Sequence, residues 1–412
     1  MPGITLQTSL AEYASRLGQS DSACYLRVAL NFSNGLGIVD YCKDCVPPQY
    51  TSFYFWAPGT PAFLGAWIFL TQAKTVLALF ILFWLCFLVA SSILLAAAYR
   101  YLTDFGPRVL AAISIAYCPP LLMLLHSSGL ASSELVCFVP LASMIFCMSV
   151  AFDKLRKSTK GAFIWFALLG LNIGVLGFIR DSHLPFGTFI FLFLILGAIF
   201  KNYNLKDVVV SGISLLVLIQ LTIFPVKAWN QKRIGSYIIS SSSGGSIWRY
   251  GIWTKHDASD WYVEAGLGAG EYLDPDAAVA IEKYYQEGNS SNLYSMKMFA
   301  LAILKKPLDF MIFKLTRLPT LFLGDTKEFP LRTFKPYIVW SSIFYFILFL
   351  YVACCWKRKI IVPEFTYLYL LYICCAAVLI HFEYRYTEAI WLSLIFVPSM
   401  LYQVLIDGRS EK

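Results

Sequence analysis

Runs of about twenty apolar residues, separated by short charged loops, constrain this chain more than any other feature. A membrane-spanning helix needs roughly 17–25 such residues. About nine stretches qualify: 75–99, 109–125, 135–152, 162–179, 184–200, 208–224, 337–356, 360–380 and 389–406. Pro119 and Pro120 should kink the second. Of the 412 residues, 58% are hydrophobic and only 14% charged, against about 25% charge in a soluble domain. In lipid the backbone must satisfy its own polar groups, and helices do so within one segment. The expectation is therefore an all-α polytopic membrane protein with extracytoplasmic loops and juxtamembrane amphipathic helices.

The formal net charge is +8. It does not point to nucleic acid, because the basic residues gather in short loops between apolar runs. Arg100 and Arg108 flank one loop; Lys154, Arg156, Lys157 and Lys160 fill another. Lys201 and Lys206 mark a third, Lys357, Arg358 and Lys359 a fourth, and Arg409 and Lys412 the tail. Alternate counting of spans puts all five on one side, the cytoplasmic side by the positive-inside rule. The opposite side receives a first loop with juxtamembrane segments (1–74), the turns 126–133, 180–183 and 381–386, and a large loop (227–336). Spanning helices occupy 75–226, and 337–412 hold three more spans and a short tail. Stretch 308–323 is apolar but carries Lys314 and Arg317 one turn apart, which suits an amphipathic helix lying on the outer face. Stretch 62–70 is too short to span and belongs at the same surface. In the large loop, SSSSGGS is turn-rich, and DPDAAVAIEKYYQE reads as a short helix with Asp274 or Asp276 near its start.

Charge at membrane level is costly and tends to mark function. Four clusters stand out on the outer side. SDSACYLRVALNFSNGLGI holds Asp21, Tyr25 and Arg27; the plainer reading is a surface helix capped by Ser20 or Asp21. Glu134 opens a span, where helix-dipole compensation alone would explain it. FIRDSHLPF makes the whole turn between two spans from Arg180, Asp181 and His183, where Arg180 and Asp181 can simply pair. HFEYRY supplies Glu383, Arg385 and Tyr386, with an internal Glu383–Arg385 pair as the bland alternative. Carboxylates and arginines facing outward together suit an amphiphilic anion such as a lipid phosphate. Of the eleven cysteines, Cys42 and Cys45 form a Cys-x-x-Cys pair, a local disulfide more readily than a zinc site, for which Cys24 is the only nearby third ligand.

These stretches occur in an order that resembles the GT-C superfamily of lipid-phosphate-sugar-dependent glycosyltransferases. The bacterial members akin to protein O-mannosyltransferases and aminoarabinose transferases are the nearer likeness. SDSACYLRVALNFSNGLGI resembles their first acidic loop, and WAPGTPAFLGAWIFL their Pro-Gly-x-Pro segment. SSELVCFVPLA resembles an acidic helix start, GFIRDSHLPF the arginine turn, and FPVKAWNQKRIGSYIISSSSGGSIWRYG the start of the large loop. ALAILKKPLDFMIFKLTRL resembles the surface helix before the last spans, and HFEYRYTEAIWLSL the closing Arg-Tyr turn. The likeness covers almost the whole chain. One departure is that the superfamily's first spanning helix has no counterpart ahead of Asp21.

The resemblance implies a GT-C-type helical bundle and an inverting transfer from a polyprenyl-phosphate-linked sugar to a lipid, glycan or protein acceptor outside a bacterial plasma membrane. It implies Asp21 as the base, with Glu134 assisting, and Arg180, Arg385 and Tyr386 on the donor phosphate. Tyr25, Arg27, Asp181, His183 and Glu383 are possible substrate contacts; Lys227 and Lys232 are weaker phosphate candidates. Superfamily members differ in their use of a divalent ion, and no cofactor is expected here. A transporter or flippase, a polymerase or ligase of lipid-linked sugars, and a non-catalytic relative are the competing readings.

Overall fold

The computed structural model describes residues 5–17, 21–42, 49–52, 57–117, 130–159, 161–200, 202–235, 237–239, 252, 272–286, 292–312, 314–315, 335–379, 392 and 394–410. The chain is a multi-pass membrane protein built almost wholly of helices. Among the described residues, five helical segments are long and apolar enough to cross a bilayer: Val76–Tyr99, Leu135–Arg156, Ala162–Ile179, Asp181–Ile199 and Leu205–Arg233.

The N-terminal segment docks on the bundle. Helix α1 (Leu10–Arg16) is capped by Ser9, whose hydroxyl accepts from Glu12 N at 3.2 Å. Backbone bonds from Leu10 N to Lys74 O and from Val76 N to Thr8 O tie its start to the first span. Helix α2 (Asp21–Ser33) follows, as expected from its sequence. The first loop then departs from an all-helical reading. Strands β1 (Val39–Cys42) and β2 (Gln49–Ser52) pair antiparallel, with Val39 opposite Ser52 and Cys42 opposite Gln49. Their valine, tyrosines and threonine favour a pleated ribbon. Cys45 lies outside the described residues. Helix α3 (Gly59–Thr71) is the short apolar helix expected near 62–70.

Next come α4 (Val76–Tyr99), α5 (Phe105–Ala116) and α6 (Ser133–Arg156). Helix α5 starts four residues before the expected span, and Pro119 and Pro120 lie outside the described residues. Helix α6 is capped by Ser132 and closes with Lys154 and Arg156 in its last turn, where cations suit the dipole. It is the centre of the bundle: 78% of its most apolar window is buried, against 33% for α4, whose Trp84 and Leu88 face outward. Helix α7 (Ala162–Ile179), a 3₁₀ turn (Asp181–His183), α8 (Pro185–Ile199) and α9 (Leu205–Ile234) complete this part. Close approach of α7 to α9 requires small residues, as is usual between membrane helices. A Cβ on Gly170 would fall 2.3 Å from Leu215 O, and one on Gly174 2.5 Å from Thr222 Cβ.

Helix α9 corrects the expected span 208–224. It runs on through Ile234 and stops at Gly235, which takes φ +71°, a helix-ending conformation glycine adopts freely. The buried Asn230 then donates to the carbonyls of Ile238 (2.8 Å) and Ile239 (3.0 Å) and folds the departing chain back on the helix. Lys227 and Arg233 are also engaged in place, over the rings of Tyr237 and Trp229.

In the large loop, α10 (Pro275–Gln286) packs on α11 (Asn292–Lys305) around a small separate core with Ile281, Phe299 and Phe310. Asp274 caps α10 by accepting from Ala277 N at 3.3 Å. Residues 307–312 and 314–315 are helical, within the expected surface helix. Lys314, however, is not free at the surface: it is buried, with its Nζ 5.3 Å from the centre of the Phe310 ring. Arg317 lies outside the described residues. The last helices are α12 (Lys335–Arg358), α13 (Glu364–Leu379) and α14 (Val397–Ser410). The expected cytoplasmic tail is thus helical as far as Ser410.

The Lys/Arg-rich ends of the helices are stitched together by polar contacts. Arg156 pairs with Glu364 at 3.0 Å, and Tyr203 donates to the same carboxylate at 2.9 Å, joining α6, α13 and the α8–α9 turn. Arg100 pairs with Asp153 at 3.2 Å. Gln403 accepts from the backbone N–H groups of Thr103 and Asp104 and donates to Asp407, fastening α14 near α5. The opposite end of the bundle carries the candidate site.

Candidate functional site

Helix α7 ends because Arg180 leaves helical geometry for an extended conformation, φ −154°. Asp181–His183 form one 3₁₀ turn, and Pro185 stands at the start of α8, where a missing N–H costs nothing. Arg180 and Asp181 are half-buried, while His183 is buried. The His183 ring meets the Tyr369 hydroxyl through Nδ1 at 2.9 Å. Tyr372 donates to the carbonyl of Ser182 at 2.7 Å. Phe186 closes the cluster, edge-on to Tyr369 at 4.8 Å and tilted against Tyr372 at 5.2 Å. Helix α13 therefore clamps the arginine turn through two tyrosines.

Those tyrosines were missed from sequence. The available signal was YLYLLY inside a span: a phenol buried among apolar residues has to find a hydrogen-bond partner.

Two glycines bring the first loop to this turn. A Cβ on Gly59 would lie 2.5 Å from Phe178 O and 2.9 Å from Ile179 Cα, so the start of α3 rests on the residues just before Arg180. A Cβ on Gly65 would lie 2.8 Å from Ala29 O and 2.6 Å from the Phe32 ring, so α3 also lies directly on α2. Asp21 is the first residue of α2. The acidic loop, the Pro-Gly-x-Pro segment and the arginine turn, far apart in sequence, thus stack as α2, α3 and α7.

The other expected site residues fall as follows. Glu134 is the second residue of α6, whose start lies at the same end of the bundle. Tyr25 is 6% exposed and belongs to the core. Arg27 turns to Asp40 on β1, at 3.2 Å and 3.4 Å, and Cys24 donates its thiol hydrogen to the same carboxylate at 3.5 Å. Glu383, Arg385 and Tyr386 lie outside the described residues, as does the rest of HFEYRY. Among the described residues, no three His, Cys, Asp or Glu side chains are grouped to hold a metal ion.

No protein-family profile and no curated protein sequence matches the chain. Solved structures do match in fold. The oligosaccharyltransferase AglB of Archaeoglobus fulgidus, in complex with an inhibitory peptide and a dolichol-phosphate, is 13% identical at a TM-score of 0.54. The match covers 98% of this chain and 47% of that one. The same organism's enzyme, tethered to an acceptor peptide containing the NVT sequon, is 14% identical at a TM-score of 0.56 over 95% of this chain and 46% of that one. The chain spans about half the length of these oligosaccharyltransferases. The likeness is one of fold: nearly the whole of this chain follows the course of about half of those enzymes.

Proposed function

We propose that the chain is an integral-membrane glycosyltransferase that moves a sugar from a polyprenyl-phosphate donor to an acceptor outside a bacterial plasma membrane. The observation that carries this reading is the stacking of α2, α3 and α7, which brings the first loop against the residues just before the arginine turn. The Lys/Arg-rich loops lie at the other end of the bundle, so by the positive-inside rule the site faces away from the cytoplasm. The matched AglB structure holds a dolichol-phosphate, which is the chemistry an outward-facing arginine suits.

In this reading the acceptor oxygen or nitrogen attacks the anomeric carbon and its bond to the phosphate oxygen breaks, with inversion. The acceptor's proton passes to Asp21, and Glu134 orients the acceptor. Negative charge grows on the departing polyprenyl phosphate and is met by Arg180, Arg385 and the Tyr386 hydroxyl. Asp181 and Glu383 are the candidates to contact the sugar. His183, bound inward to Tyr369, positions the turn rather than touching substrate. Tyr25 and Arg27 are taken up by the core and by Asp40 and are given no substrate contact.

The test is to compare surface glycolipids and glycoproteins by mass spectrometry in cells with and without the protein. Loss of one sugar unit, restored by the wild type but not by Asp21→Asn, supports the reading and names donor and acceptor together. An unchanged glycan profile overturns it.

A further inference from the structure

Helix α11 and the helical residues 307–312 and 314–315 are apolar on two sides. One side is spent on the loop's own core: Phe299, Ala302 and Phe310 are buried there. The other side is open. Met296, Leu301 and Leu304 are exposed on α11, Leu304 by 74%; Leu308 (67%), Met311 and Leu315 continue the surface on the next turns. A run of this length, left to water, marks a binding face or an aggregation hazard.

The charges around it say what covers it. Lys305 is engaged with Asp274 at 2.6 Å. Lys297 and Lys306 are exposed among the apolar residues, with Asp309 as the one exposed acid among the described residues of this stretch. Leucines and methionines with lysines between them are out of place in hydrocarbon, where charge is costly, and equally out of place in water. They fit the boundary between acyl chains and headgroups, where a lysine stem lies along apolar surface and its ammonium reaches phosphate. The next described element in the chain is α12, a helix of 24 residues with the length of a span, so the segment is tethered to the bilayer.

We propose that α11 and residues 307–312 and 314–315 form a two-helix platform seated on an anionic lipid surface, with Leu304, Leu308 and Met311 in the acyl boundary and Lys297 and Lys306 on headgroup phosphates. The platform holds the large loop down on the membrane beside the bundle. The inference rests on the exposed face and its charges, and stands whatever reaction the bundle performs.

The experiment uses the full chain in nanodiscs of phosphatidylglycerol mixed with phosphatidylcholine, and of phosphatidylcholine alone. Nitroxide labels go on Leu304→Cys, Met311→Cys and, as a water-side control on α10, Lys283→Cys, with the reactive native cysteines replaced. The expected result is that the labels at 304 and 311 collide with oxygen and not with a water-soluble nickel chelate, while the label at 283 does the reverse. Labels at 304 and 311 should sit deeper in the phosphatidylglycerol discs, and K297E/K306E should erase that difference. Labels at 304 and 311 as open to nickel as that at 283 would overturn the proposal. So would labels shielded from both reagents, which would mean that a second copy covers the face, or equal depth in both lipids, which would remove the anionic preference.

Discussion

In the proposed reaction Asp21 and Arg180 have different roles, base and phosphate contact, so their substitutions should separate in kinetics. Asp21→Asn keeps shape and hydrogen bonding but removes the base. A positioned base contributes about 10²–10⁴-fold, so turnover should collapse by that order while the protein still inserts and melts normally. Arg180→Ala removes a charge-assisted contact of about 1.5–3 kcal/mol, and the loss should appear first as poorer use of the donor at low concentration. Steady-state rates against donor and acceptor check both; turnover near wild type in Asp21→Asn would remove it from the mechanism. Tyr369→Phe keeps the ring packed on Phe186 and deletes the hydroxyl that meets His183. It should cost about 1–3 kcal/mol in unfolding and weaken donor use through Arg180. A lower melting temperature with an unchanged donor dependence would make Tyr369 a packing residue alone.

Among the elements, α3 is the joint on which the site depends. Gly59→Ala drives a methyl group against the backbone carbonyl of Phe178, which cannot swing aside as a side chain can. Overpacking of this kind costs about 1–3 kcal/mol. The expected outcome is a lower melting temperature together with a transfer defect larger than the stability loss explains, read by unfolding and activity assays on one preparation.

Five of the expected spans were legible because lipid demands long apolar runs, and the arginine turn because a polar tripeptide between two such runs has nowhere else to go. The α2–α3–α7 stack was not legible. A glycine in an apolar helix looks the same in sequence whether or not a carbonyl from another helix lies against it. The outer part of α9 was misread as loop because KAWNQKRI mixes charge with aromatics. Yet no glycine or proline stands between Val226 and Ile234, and Gly235 is the first residue able to stop the helix.

The large loop's α10 and α11 are tied by Asp274 and Lys305. The hydrogen bond from Lys305 holds the Asp274 carboxyl below its ordinary range, with the α10 backbone adding to the effect. A carboxyl depressed by folding contributes stability above its unfolded value, near 4. That contribution is lost as pH falls through the folded value. Limited proteolysis of the loop should therefore quicken on acidification from pH 5 downward. Asp274→Asn keeps an N-cap acceptor but no charge, and should flatten that dependence.

For the whole molecule, the division into a basic end and a site end makes one statement about orientation. Lys157 lies at the basic end, and Lys283 is exposed on α10 of the large loop. With reactive native cysteines replaced, Lys283→Cys should react with an impermeant maleimide on intact cells, and Lys157→Cys only after permeabilisation. The reverse pattern would turn the protein over and put the chemistry on the cytoplasmic face.

The unequal ends of α7 and α9 have a spatial consequence. Gly174 meets Thr222; from there α7 continues five residues to Ile179, and α9 twelve to Ile234. The difference, seven residues, is roughly 10 Å at 1.5 Å per residue. The arginine turn therefore lies at the foot of a ledge, with α9 rising as a wall beside it. Such a ledge sets a clearance on that side. A lipid headgroup or a slim, extended chain can come up to the turn along the wall, whereas a bulky folded domain meets α9 first and is held about two helical turns away.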